Sequence, residues 1–274
     1  GVGYLALTTS TTATDNTAVG FQAGTAVTTG TDNTLIGDSA GEAITTASGH
    51  TAVGSSALLT ITTGTTGTAV GFEALKLATG NNNTAVGYGA GKTVSTGTEN
   101  TLMGNAAGDA VSTGADNTLL GASAGGAIST GSNNVAIGSG ALVAATTSSG
   151  HTAVGTSALL TITTGTTGTA VGFEALKVAT GNHNTAVGHQ SGLAVSTGTR
   201  TTIVGGAAGN AVTTGDDNTL LGYNAGGSIS TASGHTAVGS SALSTISTGT
   251  TGTAVGFEAL KVATGNNNSA VGYQ

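Results

Sequence analysis

A short phrase closed by glycine returns along the whole chain at a nearly constant interval. With the closing glycine as anchor, the series runs Gly3, Gly20, Gly37, Gly54, Gly71, Gly87, Gly104, Gly121, Gly138, Gly155, Gly172, Gly188, Gly205, Gly222, Gly239, Gly256 and Gly272. Of the 16 spacings, 13 are 17 residues and three are 16, an interval too short for a helical hairpin and suited to one coil of a β-solenoid. All three short spacings begin with the phrase GFEALK, at Gly71, Gly172 and Gly256. A slower period lies on top: GHTAVG starts at Gly49, Gly150 and Gly234, intervals of 101 and 84 residues, or six and five coils. Block duplication with gain or loss of one coil accounts for both intervals.

Apolar residues hold fixed columns within the coil. The residue before the anchor is aliphatic, as at Val19, Ile36, Val53, Val86, Met103, Leu120, Ile137, Val154, Val187 and Leu221, and these are the expected core. The residue before that is also apolar (Ala18, Leu35, Ala85, Leu102, Ile203), and Thr, often after Asn, precedes it. Ala stands three residues past the anchor in 15 of 16 coils, with Ser191 the exception, so this column too is structural. Val or Ile follows at the seventh place (Val27, Ile44, Val94, Ile128, Val195, Ile246). A Gly near the tenth (Gly30, Gly64, Gly97, Gly114, Gly165, Gly198, Gly249) is expected to turn the chain back.

The pattern predicts an all-β fold: a parallel β-solenoid, or β-roll, of 16–17-residue coils, with residues 1–274 forming a single repetitive domain of about 16 coils. Each coil is expected to hold two short strands, with glycine at positive φ in the corners. Adjacent strand residues face opposite ways, yet both residues before each anchor are apolar, so both faces are expected to be buried. One face fills the coil; the other requires a cover, and a second copy of the chain is the natural candidate. A core of Ala, Val and Thr is thin, and burial at about 25 cal/mol per Å² must offset roughly 1–2 kcal/mol of ordering per residue. Unequal column offsets argue against a three-sided hexapeptide helix.

Composition excludes several functions. Charged residues are 6% and the net charge is −7 without a basic run, so no nucleic-acid partner is expected. Without Cys there is neither a disulfide framework nor a thiolate metal site. No run of 18 apolar residues exists, so no membrane-spanning segment is expected. The chain opens and closes in mid-phrase with no polar cap, which predicts a segment of a longer fibre or one that stacks end to end.

Residues able to do chemistry are few, and no catalytic, cofactor or metal site is expected. His50, His151 and His235 occupy the slot usually held by Asn. Metal sharing across an oligomer axis is weighed there against a solvent-facing or Asn-like turn residue, which is favoured. His183 and His189 read as surface residues. Glu73 with Lys76, Glu174 with Lys177 and Glu258 with Lys261 recur in the short coil and read as ion pairs at the surface or between chains, not as catalytic acids. Asp15, Asp32, Asp116, Asp216 and Asp217 suit turns; Ca²⁺ is the weaker alternative, because the nonapeptide that binds it is absent. Asn16, Asn33, Asn83, Asn100 and Asn117 are expected to stack as an amide ladder. Thr and Ser pairs before the tenth-place Gly (Thr28-Thr29, Ser95-Thr96) lack the Thr-x-Thr stripe of an ice-binding face.

Asn134–Ala141, NVAIGSGA, is similar to the head repeat of trimeric autotransporter adhesins, and Thr253–Leu260, TAVGFEAL, resembles repeats of bacteriophage tail fibres. The likeness touches every anchor, although the family coil is a little shorter and Asn here stands one place nearer the glycine. It implies a left-handed β-roll packed as a homotrimer, and a non-enzymatic extracellular fibre at a cell or virion surface that meets a host-surface receptor. The alternatives are a self-assembling extracellular filament and an ice-binding solenoid. Recognition, if carried by the chain, is expected at residues that vary between coils, such as Tyr88, His189, Arg200 and Tyr223.

Overall fold

A computed structural model describes residues 1–163, 165–166, 168–246, 251–263 and 265–274, with Ile246 described by its backbone alone. Gly249 and the side chain of Ile246, expected at a corner and in the core, lie outside the described residues. The chain divides into two compact units, Gly1–Asn134 and Val135–Gln274. Each is an all-β parallel solenoid.

In the first unit, three-residue strands run from Thr17–Val19 to Thr118–Leu120 and pair in parallel with their sequence neighbours. Register follows the repeat: Thr17 pairs with Thr34, and across the short coil Thr68 pairs with Thr84. In the second unit a sheet of the same kind is built from Val135–Ile137 to Ser269–Val271, with Thr169 opposite Thr185 across its first short coil. The missing residue is absorbed outside the strand, so every coil presents the same three residues to the sheet.

The far side of the coil departs from the expectation of a second strand. After Gly37, its carbonyl accepts the Ala40 amide and the Ser39 carbonyl accepts the Glu42 amide. Positive φ at Ser39 (54°) and Gly41 (58°) makes these two overlapping turns of type II. A third closes as the Ile44 amide meets the Gly41 carbonyl. Turns therefore consume the seven residues after the anchor. The next residues bond from coil to coil, as Thr28 N–H does to the Thr45 carbonyl at 2.9 Å, without forming a regular strand. The pair Thr245–Ile246 with Val262–Ala263 is the exception among the described residues.

Left-handed conformations are not confined to glycine. Glu73, Leu75 and Asn82 take φ of 55°, 48° and 59° within one coil, each at a cost of about 1–2 kcal/mol. The anchor is different: Gly87 has φ +139°, and a Cβ there would lie 2.4 Å from the carbonyl oxygen of Gly104. The tenth-place glycine answers to space alone. Gly30 is not in the left-handed region, but a Cβ on it would stand 2.2 Å from the Ala47 carbonyl oxygen. Its role is close approach of neighbouring coils, which corrects its expected role as a positive-φ corner.

The core column is one residue earlier than sequence reading places it. Ala18, Leu35, Ala52, Ala85, Leu102, Leu119, Ala153 and Leu220 are 0–2% exposed. Val19, Ile36, Met103, Ile137 and Val187 are 37–42% exposed, and Val53, Val86, Leu120, Val154 and Leu221 are half-buried. All ten lie on the outer face of the sheet, because strand residues alternate and the middle one takes the interior. Thr17, Thr34, Thr101 and their equivalents share that outer face, giving rows of Thr and aliphatic side chains two residues apart.

Inside, three columns trade volume. Where the fourth residue past the anchor is Gly, as at Gly91 and Gly108, Leu102 and Leu119 fill the space from the strand. Where it is Leu, as at Leu75, Leu142 and Leu176, the strand residue is Ala85, Ala153 or Ala186. Gly41 and Gly125 face Leu35 and Leu119 of the preceding strand, and Ile44 and Ile128 at the seventh place complete the filling. Large side chains thus move between columns while the interior stays filled, as close packing requires.

Candidate functional site

The polar residues that sequence reading singles out converge on one feature, the slot just before each strand. Asn16, Asn33, Asn83, Asn100 and Asn117 form the expected amide ladder. Asn100 Nδ2 donates to Asn83 Oδ1 at 3.0 Å and to the Gly114 carbonyl at 2.9 Å. Its own Oδ1 accepts the Asn117 backbone N–H at 3.1 Å and Nδ2–H at 3.0 Å. Each Asn therefore serves two coils. Among the described residues, no buried side-chain nitrogen or oxygen lacks a hydrogen-bond partner.

His50, His151 and His235 stand in this ladder, buried and not facing solvent. His50 Nε2 bonds the Gly64 carbonyl at 3.0 Å, and Nδ1 accepts the Gly67 amide at 2.9 Å. His151 repeats the pair with Gly165 and Gly168 at 2.9 and 3.0 Å. These are the two bonds an Asn makes to the next coil. Sequence reading noted the shared slot but missed the compensating residue: the next slot after each His is Gly, at Gly67, Gly168 and Gly252. A Cβ on Gly67 would meet His50 Nδ1 at 3.1 Å. The larger ring and the absent side chain form one unit. Burial holds His50 and His151 below the ordinary histidine pKa, with the Gly64 or Gly165 carbonyl pulling the other way.

The repeated Glu and Lys form ion pairs within a chain, with each Glu half-buried. Glu73 accepts from Lys76 and Lys92, each at 2.6 Å, while Glu174 meets Lys177 at 2.7 Å and Glu258 meets Lys261 at 2.8 Å. These lysines hold the three carboxyls below the ordinary glutamate pKa. Beside each pair the structure stacks two rings from successive coils: Phe72 on Tyr88 at 5.2 Å, Phe173 on His189 at 5.4 Å and Phe257 on Tyr273 at 5.3 Å. Phe in GFEALK followed by a ring 16 residues later was the available signal. Arg200 pairs with Asp217 at 2.7 Å, and Tyr223 is 66% exposed.

Turn aspartates Asp15, Asp32, Asp116 and Asp217 sit at φ 57–61°, and Asp216 accepts the Thr199 amide at 2.7 Å. Among the described residues, no three His, Cys, Asp or Glu side chains come together as a metal site. An open groove of about 350 Å³ brings Glu42 together with Thr25, Ala26, Ala43, Leu59 and Thr60. Among the described residues, no helix is long and apolar enough to cross a membrane. No protein-family model matches the chain, and no match is found among curated proteins or solved structures.

Proposed function

We propose that the chain is a non-enzymatic structural segment of an extracellular trimeric fibre used in surface attachment, an adhesin head or a phage tail-fibre shaft. The observation that carries the reading is the outer face of each sheet. Its aliphatic row, from Val19 through Leu120 in the first unit and from Ile137 through Val255 in the second, is half-exposed and in strict register. A repeated apolar row on a flat face suits cover by further copies of the same chain, since exposed patches of this kind mark association surfaces. The buried polar groups support a structural role, because the ladder engages them in holding coil to coil. The repeat resemblance supplies the left hand, the trimer and the receptor-bearing surface. Charged substitutions on the outer row, Val86→Asp with Met103→Asp and Leu120→Asp, test it. The reading expects assembly to be lost while the β-sheet circular dichroism persists; assembly unchanged by three buried carboxylates would refute it.

One observation favours a second reading. Thr and aliphatic residues form two parallel rows on the outer face in register, where sequence reading considered only the corner Thr pairs and the absent Thr-x-Thr stripe. A flat face of stacked Thr, if left uncovered, suits ordered water at an ice surface. Thermal hysteresis near freezing supports that reading, and ordinary freezing behaviour refutes it.

A further inference from the structure

The histidine positions of the ladder do the work of asparagine with a group that can titrate. The Gly64 carbonyl can only accept, so His50 Nε2 must carry a proton; the Gly67 amide can only donate, so Nδ1 must be bare. His151 is fixed in the same tautomer by Gly165 and Gly168. His235 Nδ1 likewise accepts the Gly252 amide at 2.9 Å.

We propose that the three His–Gly seams, His50–Gly67, His151–Gly168 and His235–Gly252, are acid-sensitive joints at which neighbouring coils separate when the imidazole takes up a second proton. That proton has one place to go, Nδ1, where it meets an amide N–H 2.9–3.0 Å away. Two donors then face each other in a site that is 0–1% exposed. The groups meeting the His50 ring are uncharged, the Gly64 and Gly67 backbone with Leu58 beside Gly67, and the Asn33 side chain below accepts the His50 backbone amide. Leu159 and Leu243 take the same place at the other seams. Burial is the largest influence on His50 and His151, with the Gly64 and Gly165 carbonyls opposing it. The asparagine slots, which make the same two bonds to the next coil's backbone and a further Nδ2–H to Oδ1 bond, hold no titratable group and stay closed through the same range.

The sign follows from linkage. A ring kept neutral in the fold and free to charge once released makes closure complete above the ordinary histidine pKa of about 6.5 and weakens it as pH falls below that value. One seam lies in the first unit and two in the second.

Amide hydrogen exchange between pH 7.5 and 5, corrected for intrinsic rates, tests the proposal. Protection at Gly67, Gly168 and Gly252 is expected to fall by up to about tenfold per pH unit below about 6.5, while protection at Asn100 and Asn117 holds. Replacing every seam by the asparagine arrangement, His50→Asn with Gly67→Asn and the same at the other two, should abolish the difference. Equal loss at the asparagine slots, or an undiminished pH response in the replaced chain, overturns the proposal. Should the replaced chain fail to fold, the imidazole nitrogen shifts of the unaltered protein at pH 7 decide. Three buried rings as the Nε2–H tautomer support the seams, and a different tautomer or a charged ring overturns them.

Discussion

The exchange of volume between core columns makes a prediction about sign that single substitutions cannot make. Leu102 is fully buried, and Gly91 beside it has φ +59° with room for nothing larger: a Cβ there would lie 2.5 Å from Leu102 Cδ1. Leu102→Ala removes the large side chain of its coil and should cost about 2–5 kcal/mol. Gly91→Leu inserts one where another already stands and should cost about 1–3 kcal/mol by overpacking. Together they recreate the arrangement of the preceding coil, in which Leu75 at φ 48° faces Ala85. The double variant should therefore be more stable than either single one, with a coupling of about 2 kcal/mol or more between the sites. Urea unfolding of the four proteins, read from midpoints at constant slope, measures this. Additive losses would show that the columns do not share a volume and would refute the account of the core.

Two glycines two residues apart should respond oppositely in scale. Gly87→Ala meets a backbone carbonyl at φ +139° and should cost about 2–6 kcal/mol; Gly89→Ala, at φ +61° with no atom within 4 Å, should stay within about 1 kcal/mol of the parent in thermal unfolding. Asn100→Leu leaves the Gly114 carbonyl and the Asn117 amide without their partner, while Asn83 Oδ1 keeps the residue-100 backbone amide. At about 1–3 kcal/mol per orphaned group, a loss of at least about 2 kcal/mol is expected in the same assay. Lys76→Met should leave the midpoint at pH 7 nearly unchanged, because Glu73 keeps Lys92 as a partner at 2.6 Å. The Glu73 carboxyl is held below its ordinary pKa, so its contribution is present above that value and fades as pH falls through the lowered one. Acid titration of the variant should accordingly be shallower below about pH 4.5.

The period, the β class and the amide ladder were legible because each depends on residues recurring at one interval. Two apolar neighbours before each anchor did not reveal which of them faces inward. Ala18 is smaller than Val19, and size favoured the wrong one; the answer lies in strand alternation and in the space that fourth-place residues such as Leu75 and Gly91 leave open. The single strand was hidden because Ser39 and Glu73 carry no sign of positive φ. Gly30 read as a corner for the same reason in reverse, since glycine marks close approach and left-handed φ alike. The His–Gly seam was present in the sequence as a pair 17 residues apart, visible once coils are aligned and the slot after each His is read.

We propose that the outer aliphatic row is covered by further copies of the chain. Sedimentation equilibrium of the unaltered protein across a wide dilution range tests it most directly. The account predicts a single species of three times the 25.6 kDa chain mass. A soluble 25.6 kDa monomer persisting at every concentration would contradict it.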